Sequence, residues 1–248
     1  MGTGTKFGIT AETGNNIQTD GLVAYYDAAY KKSYTTGSLP PSIFNLASGS
    51  LTPTGSLKND TTFTTQPISA SSWVFDGIDD YVATGLNLSY VTYPNITLSV
   101  WVKMDKADLS TWSSYNPVGV YVGTYSNSTP IRIYTNGTTV AYVAVQGAGG
   151  TTYSTTDLSD GNWHNIIQTC EYDAGGTINN VYIDGVKEIT DKLFLSWGKI
   201  TGDLIIGAQT ASNWRFLGNI ANCQIYNRSL STGDVLQNFN AQKERFGY

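Results

Sequence analysis

WVFDGIDDYV (73–82) and WHNIIQTCEYDAGGTINNVYIDGVKE (163–188) are the stretches whose reading decides the fold. In each, a run of β-branched and aromatic residues meets Asp-Gly and a second such run follows. Asp-Gly between apolar runs signals a hairpin, because the tight primed turn needs positive φ at its centre. Ser72–Phe75 is therefore expected to turn at Asp76-Gly77 into a strand over Asp80–Thr84. Val181–Ile183 is expected to turn at Asp184-Gly185 into Val186–Ile189.

Working outward, Ile96, Leu98, Val100, Val102 and Met104 alternate with Thr97, Ser99, Trp101 and Lys103. Nine residues of period two predict a strand with one apolar face. Further strands are expected at Val118–Gly123, Ile131–Tyr134, Val140–Val145, Trp163–Tyr172, Leu204–Gly207 and Ile220–Tyr226, and an earlier one from Leu22 to Asp27. Residues 30–70 read as loop-rich, with Pro40, Pro41, Pro53 and Pro67 as breakers and one short apolar piece at Ile43–Leu46. Only the C-terminus is helical in pattern. Ser231 and Asp234 stand three apart at its start, Val235, Leu236 and Phe239 form a stripe, and Gly247 follows, which places one short helix at about 231–244. Residues 1–20 are polar and aperiodic and are expected to be an arm.

The chain has 248 residues, and all-β sandwiches reach this length as one domain. Only 13% of residues are charged and the net charge is −5. With no basic stripe, nucleic acid is excluded as a partner. No run approaches the ~18 apolar residues of a membrane span, and residues 1–21 lack the apolar core of a signal peptide. Cys170 and Cys223 lie in strand-like runs. They are expected to be buried thiols, with a bridge between neighbouring strands as the alternative. These readings converge on an all-β fold: a two-sheet antiparallel jelly-roll β-sandwich over 21–248, with a polar N-terminal arm and a C-terminal helix. The arm and the helix are expected to cover sheet edges.

In order along the chain, WVFDGIDDYV (73–82), ITLSVWVKM (96–104), DGNWHNIIQTCEYDAGG (160–176), NNVYIDGVKE (179–188), LIIGA (204–208) and FLGNIANCQIYNRSLSTGDV (216–235) resemble laminin-G-like domains of the concanavalin A-like lectin/glucanase superfamily. The flanks GLVAYYDAAYKKSY (21–34) and NFNAQKERFGY (238–248) resemble the ends of copies encoded by tailed bacteriophages. The resemblance implies a lectin-like sandwich. For the phage copies it implies a virion protein made in the host cytoplasm, which needs no signal peptide because virions leave by lysis.

Sugar-cleaving relatives place paired carboxylates on one strand face. Here Glu171 and Asp173 stand two apart, but Ala174, Gly175 and Gly176 follow instead of a third acid, so no catalytic residue is assigned. His164 is the only histidine and is expected to pack or hydrogen-bond structurally, as the Trp-His pair does in the resembling family. Asp76, Asp79 and Asp80 could supply part of a calcium site. They are also ordinary turn formers, and that reading takes precedence. No other cofactor is expected. Trp112, Tyr115, Trp197 and Trp214 fall in loop-like stretches rich in polar neighbours, and rings of this kind serve sugar stacking or protein contacts. Trp73, Trp101 and Trp163 lie in strands and are expected to be structural. The functional expectation is a non-enzymatic virion structural protein, a capsid decoration or tail-surface component. Its partners would be other virion proteins, copies of itself, and host or environmental glycans. A free-standing carbohydrate-binding adhesin is the alternative, and a glycoside hydrolase is disfavoured by the missing acid.

Overall fold

The computed structural model describes residues 16–29, 42–48, 53–59, 61–64, 71–89, 93–109, 118–124, 127–135, 141–147, 150–173, 176–194, 201–209 and 214–248. Among these, sixteen strands form two antiparallel sheets of eight. Numbered in chain order, the first sheet runs β14 (Val186–Phe194), β13 (Gly176–Ile183), β12 (Asp160–Asp173), β7 (Asn95–Asp105), β16 (Leu217–Tyr226), β5 (Ser72–Asp76) and β4 (Thr62–Thr64). β1 (Leu22–Asp27) pairs with the second half of β16, on the side where β5 pairs with the first half. The second sheet runs β11 (Gly150–Tyr153), β10 (Ala141–Gly147), β9 (Asn127–Thr135), β8 (Val118–Thr124), β15 (Thr201–Ile206), β6 (Tyr81–Ser89), β3 (Pro53–Lys58) and β2 (Ser42–Phe44).

One of the two expected hairpins forms. Asp184 (φ 53°) and Gly185 (φ 81°) both take the left-handed conformation and close a two-residue loop, with Ile183 opposite Val186. The other is corrected. β5 pairs with β4 and β16, whereas β6 pairs with β3 and β15. Asp76–Asp80 is thus an arch that carries the chain from one sheet to the other. Trp73 and Phe75 approach the core from one sheet and Val82 from the other, and all three are buried in it. A hairpin would have left them side by side on one surface.

The remaining expected strands are present with bounds shifted by a few residues. β2, β3, β4 and β11 are additional. Pro53 begins β3, a position where the missing N–H removes no ladder bond. Cys170 and Cys223 are both buried and free. Cys170 lies opposite Ile96 and Cys223 opposite Val100, with β7 between them. Two strand spacings of ~4.8 Å exceed the reach of a disulfide.

The alternation in β7 is observed, but both of its faces are buried. Ile96, Leu98, Val100, Val102 and Met104 enter the sandwich core. On the opposite face Trp101 is fully buried beneath the C-terminal segment, where its ring stacks on Phe246 at 4.0 Å and on Phe239 at 5.8 Å. The helix runs Thr232–Gln242 and continues as a 3-10 turn, Lys243–Phe246. Ser231 caps it in a capping box with Asp234, as expected. Its buried side is Val235, Asn238, Phe239 and Ala241, while Leu236 is exposed. The helix covers the outer face of the first sheet rather than an edge. Residues 16–20 lie along it: the Gln18 N–H donates to Asn238 Oδ1 at 2.7 Å, and the Tyr226 hydroxyl donates to Gln18 O at 3.1 Å. Arg245 and Asp27 complete the junction with paired bonds of 2.7 and 2.9 Å. The rest of residues 1–20 lies outside the described residues.

Candidate functional site

Covered on one face by the helix, the first sheet leaves the outer face of the second as the candidate surface. In β9, Ile131 and Ile133 are buried in the core, so Arg132 between them points outward. By the same alternation Tyr142 and Ala144 face outward from β10 and Tyr81 from β6. Tyr153, directly opposite Ala144, is exposed on the same face. Trp214 and Arg215 reach this face from the segment that enters β16. The Arg132 guanidinium lies 4.8 Å from the centre of the Trp214 ring, and that of Arg215 lies 5.3 Å from the centre of the Tyr81 ring. Both are cation–π distances.

The backbone of Trp214 sets it apart. Its φ is 55°, in the left-handed region that a bulky L-residue enters at a cost of about 1–2 kcal/mol. Phe216 holds the strained segment down: it is fully buried, and its N–H donates to Gly207 O at 2.8 Å. Strained residues of this kind persist where the surrounding structure over-determines them, and they concentrate at binding sites.

At the arch, one carboxylate oxygen from each of Asp76, Asp79 and Asp80 lies within 4.8 Å of the others. Two of them bond within the turn. Asp76 Oδ1 accepts from the N–H groups of Ile78 and Asp79, and buried Asp80 accepts from the Asp76 N–H at 3.0 Å. Burial holds the Asp80 carboxyl above the ordinary carboxylate pKa, against the opposing bond from Asp76. Arg215 donates to Asp79 O at 2.8 Å, bringing a positive charge to the cluster. The arrangement is that of an Asp-rich turn. These three residues are the ones that would contribute oxygens to a hard cation.

His164 is buried between two carboxylates. Nδ1 meets Asp184 at 2.8 Å and Nε2 meets Asp160 at 3.1 Å. Asp184 also accepts the Asn165 N–H at 2.7 Å. Burial lowers the histidine pKa, but the hydrogen bonds and charges of Asp184 and Asp160 outweigh it and leave the pKa raised. The same contacts, with those of Asn162, outweigh burial and depress Asp160. His164 is thus hydrogen-bonded at both ring nitrogens.

Of the aromatic residues singled out in the sequence, Trp112, Tyr115 and Trp197 lie outside the described residues, and Trp214 joins the outer face. Trp73 and Trp101 are fully buried, and Trp163 packs beside Phe246. Glu171 and Asp173 lie at the end of β12, with Asp173 opposite Gly176 of β13. Arg132, Arg215, Tyr81 and Tyr153 were not anticipated. The period-two pattern around Ile131 and Ile133 carried the signal for Arg132, but only the tertiary fold brings Trp214 to it. Glu188 was missed as well. It accepts from the N–H and hydroxyl groups of Thr155 and Thr156, linking edge strand β14 of one sheet to the chain just after edge strand β11 of the other. These bonds outweigh burial and lower its pKa.

Residues 76–236 match the sequence profile of a family described as the concanavalin A-like lectin/glucanases superfamily. The chain belongs to this superfamily. Several solved structures share the superfamily sandwich. Domain 4 of an extracellular arabinanase from Geobacillus stearothermophilus, in complex with arabinotriose, is 15% identical, with a TM-score of 0.53 over 89% of this chain and 98% of that one. The binding domain of the paraclostridial mosquitocidal protein is 15% identical, with a TM-score of 0.60 over 90% and 52%. Trypanosoma rangeli sialidase is 13% identical, with a TM-score of 0.60 over 93% and 34%. This superfamily member thus spans nearly all of the arabinanase domain, about half of the toxin domain and a third of the sialidase chain. At these identities the likeness is one of fold. None of the curated proteins matches the chain in sequence. No helix among the described residues is long and apolar enough to cross a membrane.

Proposed function

We propose that the protein is a non-enzymatic, glycan-binding structural component of a bacteriophage virion, a capsid decoration or tail-surface protein that grips sugars with the outer face of its second sheet. The observation that carries the binding reading is Trp214, held in a left-handed backbone with its ring against Arg132. An indole ring stacks on the apolar face of a sugar while neighbouring polar groups bond its hydroxyls. The arabinotriose complex of the arabinanase domain is a precedent for sugar binding on this sandwich. The non-catalytic reading is supported by Glu171 and Asp173 lying at the end of a strand, and by His164 having both ring nitrogens engaged by carboxylates.

The virion reading is supported by the terminal segments that resemble phage-encoded copies. These same segments meet in the fold, through the Arg245–Asp27 pair.

Two variants test the binding face. Trp214→Gly relieves the backbone strain, and the gain of about 1 kcal/mol offsets a lost cation–π contact of similar size. Its melting temperature is expected to stay within a few degrees of the parent. On a glycan array, both it and Trp214→Ala should bind at least about tenfold more weakly, as loss of an aromatic anchor implies. Undiminished binding by both variants, or no glycan bound by the parent, would overturn the proposal. Release of new reducing ends from a bound glycan would overturn the non-enzymatic part. Absence of the protein from purified virions would remove the virion role and leave the binding face standing.

A further inference from the structure

We propose that His164 is a proton-operated latch: its doubly protonated ring ties Asp160 to Asp184 and so holds the C-terminal residues Phe246–Tyr248 on the first sheet, and loss of the proton loosens them. The proposal is independent of the glycan reading.

The contacts form a closed loop. His164 bridges the start of β12, through Asp160, to the β13–β14 turn, through Asp184. The turn leans on the C-terminal helix: a Cβ added at Gly185 would stand 3.1 Å from the Phe239 ring and 3.4 Å from Leu236. Tyr248 returns to the same strand, where its hydroxyl donates to Trp163 O at 2.7 Å and lies 3.5 Å from His164 Nδ1. Phe246 rests on Trp101 and on Trp163, with ring centres 4.0 and 5.1 Å apart. An open cleft of about 450 Å³ is lined by Asp160, His164, Asp184 and Tyr248, among others, and gives solvent a route to the ring.

The charged and titratable groups facing His164 are Asp160 from its own strand, Asp184 from the hairpin and Tyr248 from the C-terminal segment. On β7, Val102 lies opposite His164, while Lys103 and Asp105 lie opposite Trp163 and Asp160. Burial and the Asp184 charge raise the Tyr248 pKa, so its hydroxyl stays neutral. With the ring protonated, both nitrogens donate and the cation screens two acids from each other. A neutral ring has one N–H. One of the 2.8 and 3.1 Å contacts must then set a nitrogen lone pair against a carboxylate oxygen, and the two acids repel. Because the native histidine pKa is raised above 6.5, the stabilisation is fully present below pH 6.5 and is lost as pH climbs through the native value.

The chain has one histidine, so its ring signals are unambiguous by NMR. Titration of the unmodified protein should give a midpoint above 6.5. Amide-exchange protection of residues 246–248, corrected for intrinsic exchange, should fall across the same midpoint. His164→Gln should abolish the dependence. Asp160→Asn serves if that variant does not fold, and should lower the midpoint and narrow the change. A midpoint at or below 6.5 overturns the latch, as does a raised midpoint with protection that stays level through it.

Discussion

Asp76-Gly77 and Asp184-Gly185 are the same dipeptide at the end of a strand, and the chain leaves them in different directions. At 184–185 both residues are left-handed and the loop is two residues long, so the following strand folds back beside the preceding one. At 76–77 only Gly77 has positive φ (76°), and Ile78, Asp79 and Asp80 follow before β6 begins. The side chains differ accordingly. Asp76 bonds within its own turn, whereas Asp184 reaches another strand, holding His164 and the Asn165 N–H. A turn dipeptide thus sets a local bend. The number of residues after it, and the partners available to the next strand, decide whether the bend makes a hairpin or an arch between sheets.

This contrast can be broken most directly at the aspartates. Asp184→Ala removes one partner of a largely buried charged contact, leaves the Asn165 N–H without its acceptor, and puts alanine in a left-handed position. The expected loss is about 3 kcal/mol in urea unfolding at pH 6. Asp76→Ala, at an exposed turn, should cost under about 1 kcal/mol. A reversed order would mean that the arch, not the hairpin, is the long-range element. A smaller effect separates the glycines. Gly185→Ala and Gly77→Ala each pay a left-handed penalty of about 1 kcal/mol. At Gly185 the new methyl also meets the Phe239 ring at 3.1 Å, and at Gly77 it meets the Leu217 side chain at the same distance. Only Gly185→Ala should increase amide exchange in the C-terminal helix, because only that turn leans on it. The smallest effect concerns calcium. Asp76 and Asp80 accept backbone N–H groups and Arg215 donates to Asp79 O, so millimolar calcium should leave the melting temperature unchanged. A rise of several degrees would mean that the arch is a cation site and that the two Asp-Gly turns differ in chemistry as well as in path.

Much of the fold was legible in the chain. The alternation at 96–104, the hairpin at 184–185 and the Ser231–Asp234 cap each rest on residues within a few positions of one another, where local chemistry dominates. The short strands β2, β3, β4 and β11 were not legible, because runs of three to six residues carry little periodicity. They become strands only because β5, β6 and β10 present edges to β4, β3 and β11, and β3 in turn to β2. The candidate site was legible in part. Trp214 stood out as an aromatic in a loop, but its strain and its seat on Arg132 depend on a contact between residues 82 positions apart. The helix stripe failed at Leu236 for a related reason. The covered sheet face is mixed, so buried Asn238 was favoured there, bonding to Gln18 and Tyr226.

By itself, the sequence determined that this is an all-β chain with one capped C-terminal helix, low in charge and built of short strands joined by tight turns. Those properties follow from side-chain alternation and backbone preference, which act over a few residues. Only the tertiary structure decided that Asp76–Asp80 crosses between sheets, that the helix covers a face rather than an edge, and that His164 and Trp214 acquire the partners they have. Each of those outcomes is a choice among distant surfaces, made by burying the most apolar area while leaving the polar groups beside it bonded.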